Sequence, residues 1–241
     1  MPRIRAVLFD YYNTLIDIRT DEEKPEVFRF LSLYLQYYGL NMNEQNLRAA
    51  LDHEKKQYLK AKDEAYPEID LEVIFSNILE KEGICNPLAA ESCCKLFRLL
   101  SRERFQLFSD SIPVLKEIKR SGYSMAVVSD AQKVFCLEEG EMLGLNQFFD
   151  HIVLSTQFGF RKPDRRLFAI ACSLLDIPPA QAVYIGDDPR KDVKGAKQAG
   201  IAAILVNRNP QQSSETENEA DFCACNLWEA WDWIKKCGEA R

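Results

Sequence analysis

Apolar residues recur along this chain in two rhythms. Between about Glu22 and Arg104 they fall at three- and four-residue spacings, which predicts helices over Pro25–Tyr38, Glu44–Ala61, Leu71–Lys81 and Pro87–Arg104 and no strand in between. From Ser111 onward, short apolar runs alternate with amphipathic segments. Strands are predicted there at Tyr123–Ser129, Ile152–Ser155, Ala182–Ile185 and Ala202–Val206. The first apolar run, Ile4–Phe9, has the character of this second group. Alternating strands and helices predict an α/β fold, a parallel sheet with helices on both faces, joined by right-handed crossovers. The simplest assembly is one α/β core, residues 1–17 and 108–241, interrupted after its first strand by an all-helical insert, residues 18–107. Asn207–Ala220 reads as a polar surface loop, and Leu227–Ile234, with Trp228 and Trp231 three residues apart, as a closing helix.

Composition narrows the class. The 241 residues are 46% hydrophobic, enough for one large domain or a domain with a lid. A net charge of −6 and a pI near 5.2 argue against nucleic acid or an anionic membrane as a general partner. No apolar run approaches the ~18 residues of a membrane-spanning helix. The N-terminal apolar stretch is broken by Asp10 and lacks a small-residue cleavage site, so a cytoplasmic location is expected. The eight cysteines follow no framework spacing, and reduced, mostly buried thiols are expected; Cys93 and Cys94 lie in a helical pattern and Cys172 in an apolar run. Cys223 and Cys225 would supply only half of a metal or redox site, and with no second close pair and only two histidines a structural zinc is not expected. With only two histidines, His53 in a charged helix and His151 opening a strand, a Ser-His-Asp hydrolase is not expected.

The chemistry concentrates where strands end. The run Val7-Leu8-Phe9-Asp10-Tyr11-Tyr12-Asn13-Thr14-Leu15 delivers a carboxylate and then a hydroxyl at the C-terminal end of a buried strand, which is the ligand-binding end of an open α/β sheet. Ser129 ends the run Met125-Ala126-Val127-Val128 and is followed by Asp130. Lys162 sits in Gly159-Phe160-Arg161-Lys162-Pro163-Asp164, and an acidic turn follows in Gly186-Asp187-Asp188-Pro189-Arg190-Lys191-Asp192. Singly, each has a plain reading: a turn residue, a helix N-cap, a solvated lysine, carboxylates in a first helical turn. Together they form a nucleophile, a charge-neutralising ammonium and hydroxyl donors for a transferring group. Asp187 and Asp188 add anionic oxygens that would repel Asp10 without a hard cation among them, and Mg²⁺ suits oxygen ligands.

In type, order and strand-loop-helix context these four segments resemble the motifs of the haloacid dehalogenase-like hydrolase superfamily, whose first motif is most often Asp-x-Asp-Gly-Thr. The resemblance implies a Rossmann-like core with a cap and an aspartyl intermediate on Asp10. Thr14, Ser129 and Lys162 would be the other catalytic groups, with Tyr12, Asn13 and Asp130 lining the substrate. It also implies Mg²⁺ held by Asp10, the backbone carbonyl of Tyr12, and Asp187 or Asp188, with Asp192 behind them orienting Lys162.

Two positions depart from the usual motif. Asn13 replaces Gly, and Asn is the next most tolerant residue of a positive φ. Tyr12 replaces the Asp that protonates the leaving alcohol in family phosphatases, and a phenol with pKa near ~10 is a poor substitute at neutral pH. By hypothesis Asp130 or Asp188 takes that role. Asp-x-Tyr is instead similar to the haloacid dehalogenases, whose leaving halide needs no proton. The acidic fourth motif favours a Mg²⁺-dependent phosphatase acting on a small anionic phosphate monoester. The alternatives are a 2-haloacid dehalogenase and a catalytically silent binding protein of the same fold. In the insert, Arg29, Arg48, Lys55, Lys56 and Lys60 are cations on what reads as a solvated helix face.

Overall fold

The computed structural model describes residues 3–208 and 219–239. In chain order these form β1 (Ala6–Phe9), β2 (Ile16–Thr20), α1 (Pro25–Gln36), α2 (Glu44–Lys60), α3 (Leu71–Lys81), α4 (Pro87–Ser101), β3 (Arg102–Leu107), α5 (Ser111–Arg120), β4 (Ser124–Ser129) and α6 (Lys133–Met142). The chain continues through β5 (His151–Leu154), α7 (Arg165–Leu174), β6 (Ala182–Gly186), α8 (Lys194–Gln198), β7 (Ala202–Val206), β8 (Phe222–Ala224) and α9 (Leu227–Glu239). The strands pair in the order β5-β4-β1-β6-β7-β8, every pair parallel. From β1 the chain proceeds to β4 and β5 on one side, then returns to β6, β7 and β8 on the other. β1 thus lies at a topological switch point, where open α/β sheets bind ligands. Phe9 is in register with Val127 of β4 and Ile185 of β6, so Asp10, Ser129 and Gly186-Asp187 emerge along one sheet edge.

Side chains alternate across the sheet. On one face, Val7, Phe9, Met125, Val127, Val183 and Ile185 pack with Leu115 and Ile118 of α5 and Trp231 and Ile234 of α9. On the other, Leu8, Ala126, Val128 and Tyr184 pack with Leu167, Phe168 and Ala171 of α7 and Ala196 of α8. The α/β core expected from the sequence is therefore present with helices on both faces. Helices α1–α4 enclose an apolar cluster of their own, including Leu31, Ile74, Phe75 and Phe97, which Phe135 of α6 joins from the core. Three of them start at side-chain caps: Asn43 of α2 accepts from the Asn46 amide, Asp70 of α3 from Glu72 and Val73, and Asn86 of α4, ahead of Pro87, from Leu88 and Ala89.

Three expectations need correction. The helix expected to run to Arg104 stops at Ser101, and β3 follows it, pairing antiparallel with β2. The insert is therefore joined to the core by a two-stranded ribbon rather than being wholly helical. This ribbon is largely solvated, so it carries no continuous apolar run. β8 adds a short edge strand of only three residues. Of the cysteines, 93, 94, 136 and 172 are buried, whereas 85, 223 and 225 are exposed and 237 lies between. Most of the expected polar loop, residues 209–218, lies outside the described residues. Among the described residues no helix is long and apolar enough to cross a membrane.

The closing helix read at Leu227–Ile234 is present as α9, and its Trp231 is 1% exposed with its ring edge-on to Tyr123 at 5.4 Å. Trp231→Ala is expected to cost about 3–5 kcal/mol in urea unfolding. A loss under about 1 kcal/mol would mean that α9 is not part of the sheet's apolar layer.

Candidate active site

β1 is wholly buried and ends in Asp10, whose amide donates to the Ile185 carbonyl at 2.9 Å. The chain then reverses tightly. The amides of Leu15 and Ile16 donate to the Tyr11 carbonyl at 2.9 and 3.0 Å, and that of Asn13 donates to Ile16 at 2.7 Å. Asn13 sits at φ 61°, the left-handed region for which Asn stands in for Gly. Residues remote in sequence brace this turn. Ser111 Oγ donates to the Leu15 carbonyl at 2.7 Å, and Arg208 Nη2 to that of Thr14 at 2.8 Å. Arg208 is itself held by both oxygens of Asp110 at 3.0 Å. Nothing local marks Arg208 or Asp110 in the sequence.

Lys162 enters from the segment between β5 and α7 and is 3% exposed. Its Nζ donates to Asp10 Oδ1 at 2.9 Å, Asp192 Oδ1 at 2.6 Å and the Tyr184 hydroxyl at 3.0 Å. Burial alone would push this ammonium down, but Asp10 and Asp192 outweigh it and hold it well above the ordinary lysine value. Sequence reading missed Tyr184. It lies mid-strand in an apolar run and reads as core, yet its hydroxyl is also 2.9 Å from the Val128 carbonyl and 3.0 Å from Asp192 Oδ1.

The acidic turn divides its carboxylates by role. Asp192 Oδ2 accepts from the amides of Asp187 and Asp188, both at 3.0 Å, while its Oδ1 faces Lys162. Gly186 permits this closeness, because a Cβ there would lie 2.4 Å from Asp192 Oδ2. The Asp188 carboxylate turns away to cap the π-helical turn Pro189–Val193 through the Arg190 and Lys191 amides at 2.8 and 3.1 Å. Asp187 faces the nucleophile's side and accepts from Thr14 Oγ1 at 3.4 Å. Among the described residues one group could hold a metal ion: Asp10, Asp187 and Asp192, with ligand oxygens within 4.8 Å of one another. Three carboxylates thus face one ammonium. Burial, and then Asp10 and Asp192, push the Asp187 carboxyl up to about 8. An all-oxygen donor set with excess negative charge suits a hard divalent cation.

The remaining residues separate into two groups. Ser129 is buried at the end of β4, and beside it Asp130 Oδ1 accepts the Lys162 amide at 2.8 Å. Tyr12 instead points at the insert. Its hydroxyl donates to Glu139 Oε2 on α6 at 2.5 Å, and Arg98 of α4 lies 4.9 Å from its ring centroid while binding Glu139 at 2.8 and 3.0 Å. Burial, with Cys136 and Glu139 nearby, drives this phenol well above its usual range. On the other side of the site the insert contributes Glu68. This residue is buried, with its Oε2 accepting Ser155 Oγ at 2.6 Å and its amide donating to Gly159 at 3.0 Å. Gln132 secures the same loop by donating to the Ile69 carbonyl at 2.7 Å and accepting the Leu71 amide at 2.9 Å. Arg98 and Glu68 are thus charges of the insert that bond to core residues Glu139 and Ser155. Arg48 and Lys55 pair with Glu23 and Glu22 at the surface.

A family model described as haloacid dehalogenase-like hydrolase matches residues 4–200. The chain belongs to that family. A glyceraldehyde 3-phosphate phosphatase of Methanopyrus kandleri is 32% identical over 114 residues, 47% of this chain and 49% of the relative. The chain thus spans about half the length of the first curated relatives it matches. The human N-acylneuraminate-9-phosphatase is 24% identical over 217 residues, 87% of this chain and 85% of that protein. Among solved structures, a 2-haloacid dehalogenase of Pseudomonas syringae superposes with a TM-score of 0.73 at 24% identity, covering 97% of this chain and 99% of its own. At that identity it shows the fold alone.

The crowded carboxylates make a prediction for the metal-free protein. Burial beside Asp10 and Asp192 raises the Asp187 carboxyl from its ordinary value to about 8 in the fold, so the folded state binds more protons across that interval. Its stabilising contribution is present at the acid end and is lost as pH rises toward 8. In EDTA the urea midpoint is expected to fall over this range, and to fall less steeply in Asp187→Asn. Equal slopes in the two proteins would remove Asp187 from the cluster.

Proposed function

We propose that this hydrolase is a Mg²⁺-dependent phosphatase acting on a small phosphate monoester through a covalent aspartyl phosphate on Asp10. The observation that carries the reading is the cluster of Asp10, Asp187 and Asp192 against a single lysine, whose uncompensated charge calls for a cation. Relatives named as phosphatases of small phosphate monoesters support the same class. Asp10 and Asp187 would hold the ion, together with the Tyr12 carbonyl. The bound ion would offset carboxylate repulsion and stabilise charge on the phosphoryl oxygens. Asp192 is already committed to Lys162 and two amides and serves to aim them.

In this reading the second oxygen of Asp10 attacks phosphorus while Lys162 holds Oδ1. The hydroxyls of Ser129 and Thr14 donate to the phosphoryl group, and Lys162 balances its charge as the bond to the leaving oxygen breaks. The insert, residues 18–107, acts as a cap that excludes water and selects the leaving group. Its contacts at Glu68 and Arg98 fix it on both sides of the site. Tyr12 favours a second reading, a dehalogenase, because a halide leaves without needing a proton.

Turnover of p-nitrophenyl phosphate is expected, with loss in EDTA, recovery on adding Mg²⁺, and a fall of at least about 10³-fold in Asp10→Asn, since no nucleophile remains. Chloride release from 2-chloropropionate that EDTA leaves unchanged would establish the dehalogenase instead. Absence of both activities would favour the silent binding protein.

A further inference from the structure

The phosphatase reading leaves one requirement unmet. An alkyl leaving group needs a proton and the attacking water must lose one, yet Tyr12 gives its hydroxyl to Glu139. The other carboxylates around the site have fixed tasks. Both oxygens of Glu68 are taken, Oε1 by the Ile69 amide and Oε2 by Ser155. Asp188 caps a helical turn, and Asp187 belongs to the cation cluster.

Asp130 differs from all of these. It directly follows Ser129 at the sheet edge where Asp10 emerges. Its Oδ1 is fixed by the amide of Lys162, the residue whose Nζ holds Asp10. Its Oδ2 is buried and has no hydrogen-bond partner. A buried, unpaired carboxylate oxygen is costly, and it persists most readily where a ligand, a water or its own proton completes it. We propose that Asp130 carries the catalytic proton of this site, through Oδ2, in place of the carboxylate that Tyr12 displaces. This inference rests on the phosphoryl-transfer reading above.

The charged neighbours agree. Burial raises the Asp130 carboxyl to about 6; Lys162 opposes this rise, while Asp10 and Glu68 add to it. The group is therefore poised between acid and base close to neutral pH. In the first step Asp10 bonds to phosphorus, the bond from phosphorus to the ester oxygen breaks, and Oδ2 gives its proton to that oxygen, releasing the alcohol. In the second, Asp130 takes a proton from water as the water oxygen bonds to phosphorus and the bond to Asp10 breaks. Inorganic phosphate leaves, and both aspartates return to their starting states.

The test compares two leaving groups in Asp130→Asn, which keeps an acceptor for the Lys162 amide. An alkyl phosphate that the wild-type enzyme hydrolyses should lose about 10²–10⁴-fold, the usual worth of a positioned acid. p-Nitrophenyl phosphate, whose phenolate leaves unassisted, should give a rapid burst of one equivalent followed by slow turnover. Asp130→Ala should regain alkyl phosphate turnover when formate is added. Equal losses on both esters without a burst or formate rescue, or wild-type rates in Asp130→Asn, would overturn the assignment. If wild-type enzyme and Asp10→Asn are equally inert toward both esters, the phosphatase reading fails first and the assignment falls with it.

Discussion

The buried ammonium of Lys162 is the interaction on which the rest of the site depends. It has three protons to donate, and three acceptors meet them: Asp10 after β1, Tyr184 within β6, and Asp192 beyond β6. Taking a lysine out of water costs several kcal/mol unless its partners are this complete. The same bonds fix the relative positions of two adjacent strand ends and the loop that precedes α7. Asp192 extends the network by gathering the amides of Asp187 and Asp188, and Gly186 leaves it room to do so. One lysine thereby orients the nucleophile and sets the shape of the acidic turn. It does not neutralise the whole cluster, and the remaining negative charge suits a hard divalent cation.

Around this centre the insert is fastened at two places by different means. On one side, backbone bonds between Glu68 and Gly159 and between Arg161 and Tyr66 continue the segment that carries Lys162. On the other, Tyr12, Glu139 and Arg98 form a partly buried unit of phenol, carboxylate and guanidinium. The position that usually supplies a proton carrier has become a tie between core and insert. Chemistry lost at Tyr12 must then be supplied by another group or made unnecessary by the leaving group.

Much of this was legible in the sequence, for identifiable reasons. Core strands such as Val7–Phe9 and Ala126–Val128 are buried on both faces, so they appear as unbroken apolar runs. The helices of the insert appear through their spacing. The β2–β3 ribbon did not appear, because half-buried residues such as Arg102 and exposed ones such as Gln106 give it a mixed pattern. At the site, Asp10, Thr14, Ser129, Lys162 and the acidic turn were marked by their place at strand ends. The division of labour within the turn was not marked, since only geometry distinguishes Asp188 capping a helical turn from Asp187 beside Asp10. Tyr184, Glu68, Arg98 and Arg208 were invisible for a related reason. Each acts across the fold, from a segment whose own pattern records only packing or solvation.

The central claim is a covalent bond between Asp10 and phosphorus, and trapping that bond tests it most directly. Enzyme mixed with p-nitrophenyl phosphate and Mg²⁺ is quenched in acid, treated with borohydride, digested and examined by mass spectrometry. A reduced aspartyl phosphate should be found at Asp10 as homoserine in the wild-type protein and be absent without substrate. Active enzyme whose Asp10 is unmodified at every quench time would contradict the claim.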